Sequence, residues 1–241
     1  MFGGPDPARL LLDRLHDPRS RRVVLISHCL LNQNTRYAGG ASRPGGVVAE
    51  LVEELVDAGY GIRQLPCPER LAWGGVLKRR SLLLYHSKGG PLYPPVRSVL
   101  LSAFVWWTKI AYRRLARQVA RDVIDYHRAG ITVGGIVGIG ASPSCGVTTT
   151  LDLRASLEVV ATCPAAELTR DVMNERAVLN CRRPGGAGLF IESLDRELQR
   201  RKANLPAREH DLAAELRGER QTVLAGPPPK TLGDRGHQMT T

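Results

Sequence analysis

The chain has 241 residues, 43% of them hydrophobic, which is enough for one domain with a sizeable core. Its 34 Lys and Arg against 23 Asp and Glu give a formal charge of +11, suited to anionic partners or to a plain basic surface. The first 22 residues lack the apolar stretch of an export signal, and five cysteines without one argue against a disulfide framework and for a reducing, cytoplasmic setting.

Residues 1–21 read as an N-terminal arm around one short helix, Ala8 to Leu15. The β-branched run Val23-Val24-Leu25-Ile26-Ser27 is a strand that ends at His28-Cys29. Leu30 to Gly40, rich in amides and glycines, reads as a ligand-facing loop. A helix is expected from Pro44, with Val48, Leu51, Val52, Leu55 and Val56 as its apolar stripe and Gly59 as its stop. Ile62 to Pro66 is a short second strand ending at Cys67-Pro68-Glu69.

Glycines and prolines break the periodicity of residues 70–96. A long helical pattern then runs from about Ser98 to Arg128. It includes an apolar run between Arg97 and Lys109 that falls short of the ~20 residues a membrane span needs. The sequence favours a buried helix or lid there; contact with a membrane surface through Trp106 and Trp107 is the lesser reading. Ile131 to Ile139 is a third strand, dotted with glycines where backbone or ligand must come close. Further on, Leu157 to Ala161 reads as a strand, Pro164 to Arg176 as a short helix, and Leu189 to Lys202 as an amphipathic helix. In that last helix Phe190, Ile191, Leu194 and Leu198 face inward, and Glu192/Arg196 and Glu197/Arg201 pair on its outer face. Residues 218–241, with Gly-Pro-Pro-Pro-Lys, read as a disordered tail.

Strands alternating with helices imply one α/β domain over residues 22–217, with an open, mostly parallel sheet and helices on both faces (Rossmann-like). Cys29, Cys67 and Cys145 would then lie beyond the carboxyl ends of neighbouring strands, where such sheets hold ligands. Three converging thiolates suit a soft metal: zinc, or an iron–sulfur cluster with one iron lacking a protein ligand. Glu69 is placed for proton transfer, and Ser142 and Ser144 for hydrogen bonds to a substrate or an inorganic sulfide. His28 can act as acid or base or cap the strand, and Asn32, Asn34 and Arg36 can grip a heterocycle and an anion. Cys163 and Cys181 follow no strand and read as small buried hydrophobes. Gly138-Ile139-Gly140 departs from the dinucleotide fingerprint, because Pro143 stands at the last glycine's position.

Ser27-His28-Cys29-Leu30-Leu31-Asn32 with Arg36-Tyr37, then Cys67-Pro68-Glu69, then Ala141-Ser142-Pro143-Ser144-Cys145-Gly146 resemble, in that order, the motifs of the thiouracil desulfurase family. Gly188 to Leu198 resembles the closing helix of a related desulfidase branch. The resemblance implies a 4Fe-4S cluster on Cys29, Cys67 and Cys145, Glu69 as the acid/base, Ser142 as an active-site hydroxyl, and a small thiolated substrate that loses sulfur without net redox change. Two departures stand out. Thr35-Arg36-Tyr37-Ala38-Gly39 lacks the Cys and Asp of the better-known members, and residues 76–112 read as an inserted helical and loop segment. The rival reading is a basic nucleotide- or nucleic-acid-binding protein with a structural zinc; the desulfurase reading needs no obligate nucleic acid.

Overall fold

In a computed structural model, which describes residues 7–16, 18–43, 45–81, 93–225 and 228–233, five strands form one sheet in the order β2-β1-β3-β6-β7. Strand β1 (Arg22–Ile26) is built from Val23, Val24, Leu25 and Ile26, all buried, and it pairs in parallel with β2 (Gly61–Gln64) and β3 (Thr132–Ile139). β3 pairs in parallel with β6 (Leu205–His210), and β7 (Lys230–Leu232) closes the edge antiparallel to β6. A small hairpin of β4 (Thr149–Leu151) and β5 (Arg182–Pro184) stands apart. Strands this apolar need cover on both faces, as parallel sheets have.

That cover comes from the crossovers. An opening helix, α1 (Pro7–Arg14), precedes β1. The chain leaves β1 through α2 (His28–Leu31) and α3 (Ala49–Asp57) to reach β2 on one side. It returns through α4 (Pro68–Ala72) and the 36-residue α5 (Tyr93–Arg128) to β3 on the other side of β1. Right-handed crossovers running in opposite directions put their helices on opposite faces. The strand order therefore reverses at β1 and β3, and a crevice opens beyond their carboxyl ends. From β3 the chain passes through α6 (Leu153–Thr162), α7 (Arg170–Val172, continued by a π-helical stretch Met173–Leu179) and α8 (Leu189–Arg200), which packs along α5. A last short helix, α9 (Leu212–Leu216), follows β6.

The α/β architecture follows the sequence reading, and several local expectations change. Leu157–Ala161 is not a strand: it lies in α6, whose start Asp152 caps by accepting the Ala155 N–H at 3.0 Å. The cap outweighs the strand preference of Val159-Val160. Leu30 to Gly40 is less open than a loop, since α2 and a 3-10 turn at Gln33–Thr35 fill its first half. The helix expected from Pro44 begins at Ala49, and Pro44 itself lies outside the described residues. Of the segment read as inserted, residues 93–112 form the first half of the continuous α5, and residues 82–92 lie outside the described residues.

Part of the tail expected beyond Arg217 is built into the fold. Lys230–Leu232 pairs with β6, and the Val223 and Leu224 amides donate to the Glu54 carboxylate at 2.8 and 2.6 Å. Composition marks such a stretch as polar and proline-rich but says nothing of a waiting sheet edge. Glu197 also moves: it is 6% exposed rather than on the outer face, and Arg117, Arg200 and Arg201 all converge on its carboxylate.

Candidate functional site

Each of the three cysteines is set by the end of a different parallel strand. Cys29 sits in the first turn of α2, directly after β1. Cys67 is the N-cap of α4 after β2, and its Sγ accepts the Arg70 N–H at 3.3 Å. Cys145 lies in the turn after β3. All three line one cavity at the switch point of the sheet, together with Glu69, Ser142 and Ser144. Burial pushes the Cys29 thiol up to about 12, with Arg36 pulling the other way. Burial likewise raises Cys67, helped by the Glu69 charge, and lifts Cys145 above the ordinary thiol range, helped by Cys29. The thiols of the bare protein are therefore protonated at neutral pH, and a metal must displace those protons as it binds.

The turn that presents Cys145 is shaped by its own residues and by three neighbouring elements. Ala141 takes a left-handed conformation, φ +53°, which a non-glycine residue adopts at a cost. The Ser142 Oγ accepts the N–H groups of Ser144 and Cys145 at 3.3 and 3.0 Å and closes the turn. The turn then folds back so that the Ile139 N–H meets the Cys145 carbonyl at 3.1 Å. A Cβ at Gly138 would stand 2.2 Å from that carbonyl oxygen, so only glycine fits. From another side the first amides of α8 reach in: Leu189 N–H donates to the Pro143 carbonyl, and Phe190 and Ile191 to that of Ser144, at 2.9, 3.2 and 3.3 Å. A Cβ at Gly188 would lie 2.4 Å from the Ser144 oxygen, which explains the glycine before this helix. Finally, the Glu209 carboxylate at the end of β6 gathers the amides of Val147, Thr148 and Thr149 at 2.6 to 3.0 Å.

Glu69 is held inside the cavity rather than waving from a loop. One carboxylate oxygen pairs with the Lys78 ammonium, and the other accepts the Ser144 hydroxyl at 3.0 Å. That hydroxyl oxygen also stands 3.1 Å from the Ser142 Oγ and 3.6 Å from the Cys145 Sγ. A polar chain thus runs from Lys78 through Glu69 and Ser144 to the cysteine sulfur. Two further buried hydroxyls stand close to this turn, that of Ser27 beside the Cys145 thiol and that of Tyr112 beside Ser144. Among the described residues no three His, Cys, Asp or Glu side chains close in tightly enough for a single metal ion. Three cysteines at one cavity form a thiolate donor set of the kind an iron–sulfur cluster takes.

Not every expected residue joins the site. Asn32 and Asn34 bond to each other, the Asn32 Oδ1 accepting from the Asn34 backbone and side chain at 3.1 and 2.9 Å, and neither lines the cavity. They shape a turn. Arg36 does reach the cavity wall, but its guanidinium is spent elsewhere. It grips the buried Glu215 carboxylate through both terminal nitrogens and donates to the carbonyls of Gly40 and Cys29 at 3.1 and 3.3 Å. Its expected role as an anion grip is therefore replaced by a structural one: it pins the backbone of the first cysteine. His28 lines the cavity, and burial, then the Arg70 charge, lower its pKa, so its imidazole is neutral at pH 7. Cys163 is buried and Cys181 half-buried, and neither lines the cavity.

Sequence reasoning missed Lys78, Tyr112, Glu209 and the pair His210 and Glu215. Lys78 falls where periodicity is broken, and Tyr112 looks like any core position of a long helix. Glu215 carries a trace that could have been read, since a lone acid in Leu212-Ala213-Ala214-Glu215-Leu216 is an odd thing to bury.

No family model matches the chain, and no solved structure matches it. An uncharacterized protein of the archaeon Methanocaldococcus jannaschii is 43% identical over 56 residues, which is 23% of this chain and 35% of that protein. The chain thus spans about a third of the length of the curated relative it matches.

Proposed function

We propose that this chain is an iron–sulfur-cluster-dependent desulfurase (desulfidase) that removes sulfur from a small thiolated compound, of thiocarbonyl or thionucleobase type. The observation that carries the reading is the meeting of Cys29, Cys67 and Cys145, remote in sequence, around one cavity that also holds Glu69 and Ser144. The motifs resembling thiouracil desulfurases supply the same three ligands. Five free cysteines suit a reducing cytoplasm, and among the described residues no helix is long and apolar enough to cross a membrane.

Cys29, Cys67 and Cys145 would hold a 4Fe-4S cluster. Bound there, a cluster with one iron free of protein ligands supplies a Lewis acid for a thiocarbonyl sulfur. The chain's own groups do the rest. The Glu69 carboxylate takes a proton from the water that attacks the carbon, and Lys78 and Ser144 hold that carboxylate in place. The carbon–sulfur bond breaks, the water oxygen stays on carbon, and sulfur leaves as hydrosulfide, so no electrons are gained or lost. Ser142, whose Oγ closes the turn, positions Cys145 and Ser144 and does not itself transfer a proton.

A panel of single Cys→Ser variants tests the ligand set. Cys29, Cys67 and Cys145 variants prepared without air should each lose most of their iron. Cys163 and Cys181 variants should keep it, and iron lost from either of these would mean that the ligand set is wrong.

A further inference from the structure

The stretch from Arg70 to Arg121 contains eleven Lys and Arg and no Asp or Glu. The rest of the chain carries 23 of each sign, so the whole formal excess of +11 belongs to this one stretch. Most of it is α5, which already has a complete buried face. Leu101, Thr108, Tyr112, Leu115 and Val119 follow one another at helical spacing and point inward.

The opposite face is the unusual one. Val96, Val99, Leu100, Ala103, Trp106 and Trp107 are all exposed, Val99 to 69% and Trp106 to 65%. At 100° per residue they fall within one arc, and the exposed Arg114, Arg117 and Arg121 continue that arc toward the end of the helix. The apolar arc is widened by its neighbours. The Trp107 indole N–H donates to the Ala72 carbonyl at 3.2 Å, and the Arg80 guanidinium lies 5.6 Å from the Trp107 ring. Apart from the Trp107 bond to Ala72, the patch is apolar and rimmed by charge, and a surface of that kind marks an interaction site.

We propose that the outer face of α5 docks on an anionic phospholipid surface. Three features favour that occupant: a basic stretch that holds no Asp or Glu of its own, the exposed indoles, and the division of one helix face into an apolar half and an arginine half. Among the described residues, only Arg97 and Arg117 of the helix meet acids of other elements. Tryptophan suits the boundary between headgroup and acyl chain, and Lys and Arg near an anionic leaflet are drawn to its headgroups. With Val99 and Trp106 at that boundary, the arginines reach headgroups over ~33 Å of helix. The helix lies on the membrane rather than through it. This docking is independent of the chemistry at Glu69, and either can fail without the other.

Vesicle flotation of the full chain tests it. The protein should float with phosphatidylcholine vesicles containing phosphatidylglycerol, far less with phosphatidylcholine alone, and progressively less as salt rises. The double variant Val99→Ser/Trp106→Ser should lose at least about tenfold in partitioning, with an unchanged melting curve because both residues are exposed. Arg114→Gln/Arg121→Gln should lose the preference for anionic lipid. Absence of flotation at low salt, or equal flotation of the serine double variant, would overturn the proposal. So would retention on RNA or heparin without any lipid binding, which would assign the face to a polyanion.

Discussion

Glu69→Gln should abolish most desulfurase turnover, by about 10² to 10⁴-fold, while leaving iron and sulfide content at the wild-type level. The amide matches the carboxylate in shape and can still accept the Ser144 hydroxyl, but it cannot take a proton from water. Because Glu69 is no ligand in this account, its loss should not disturb assembly. The measurement is turnover of a thiocarbonyl substrate by the anaerobically prepared variant, beside its iron content. Wild-type turnover would remove Glu69 from the mechanism. Loss of iron together with activity would make Glu69 a supporter of the cluster rather than a proton carrier.

Glu215→Ala should have the largest effect on stability. Its carboxylate is fully buried between the Arg36 guanidinium, the Ser42 hydroxyl and the His210 ring, whose Nε2 lies 2.6 Å from Oε2. Removing it strands the Arg36 charge with no carboxylate, and breaking a buried pair in this way costs about 3–5 kcal/mol. For a chain of this size that is a fall in melting temperature on the order of 10 °C. The pH dependence carries its own sign. His210, Arg36 and Ser42 more than offset burial and hold the Glu215 carboxyl well below its ordinary 4.5. A carboxyl depressed on folding contributes stability that is complete above 4.5 and is lost as the pH falls toward the lower folded value. Wild type should therefore lose stability steeply in acid, and Glu215→Gln should show a lower plateau with a flatter acid limb. A melting temperature unchanged in either variant would contradict this. Since Arg36 also holds the Cys29 carbonyl, iron uptake by the alanine variant should fall as well.

These residues also show where the sequence stops being informative. The three cysteines were legible because each ends a strand, and strand ends in a parallel sheet meet at one edge whatever the side chains between them. The helix at Leu189 was legible from its inward Phe190, Ile191, Leu194 and Leu198, all fully buried. Partners remote in sequence were not. Nothing local couples Arg36 to Glu215, 179 residues away, or Glu209 to the amides of Val147 to Thr149, and so Arg36 reads as a free cation from the sequence. The strand mistaken at Leu157 had the opposite cause. Local preference for Val159-Val160 was real, but the Asp152 cap and the buried Leu153, Ser156 and Ala161 settle a helix. The stretch around Trp106 and Trp107 reads from the sequence as a buried helix or a lid, yet both indoles are exposed, because a helix of 36 residues can bury one stripe and still present another to solvent.

The most direct test of the central claim is iron and acid-labile sulfide analysis of the chain purified without air. A site of three thiolates built for a cluster should yield about four irons and about four sulfides per chain, with a brown chromophore that bleaches on exposure to oxygen. Stoichiometric zinc without sulfide would contradict the account.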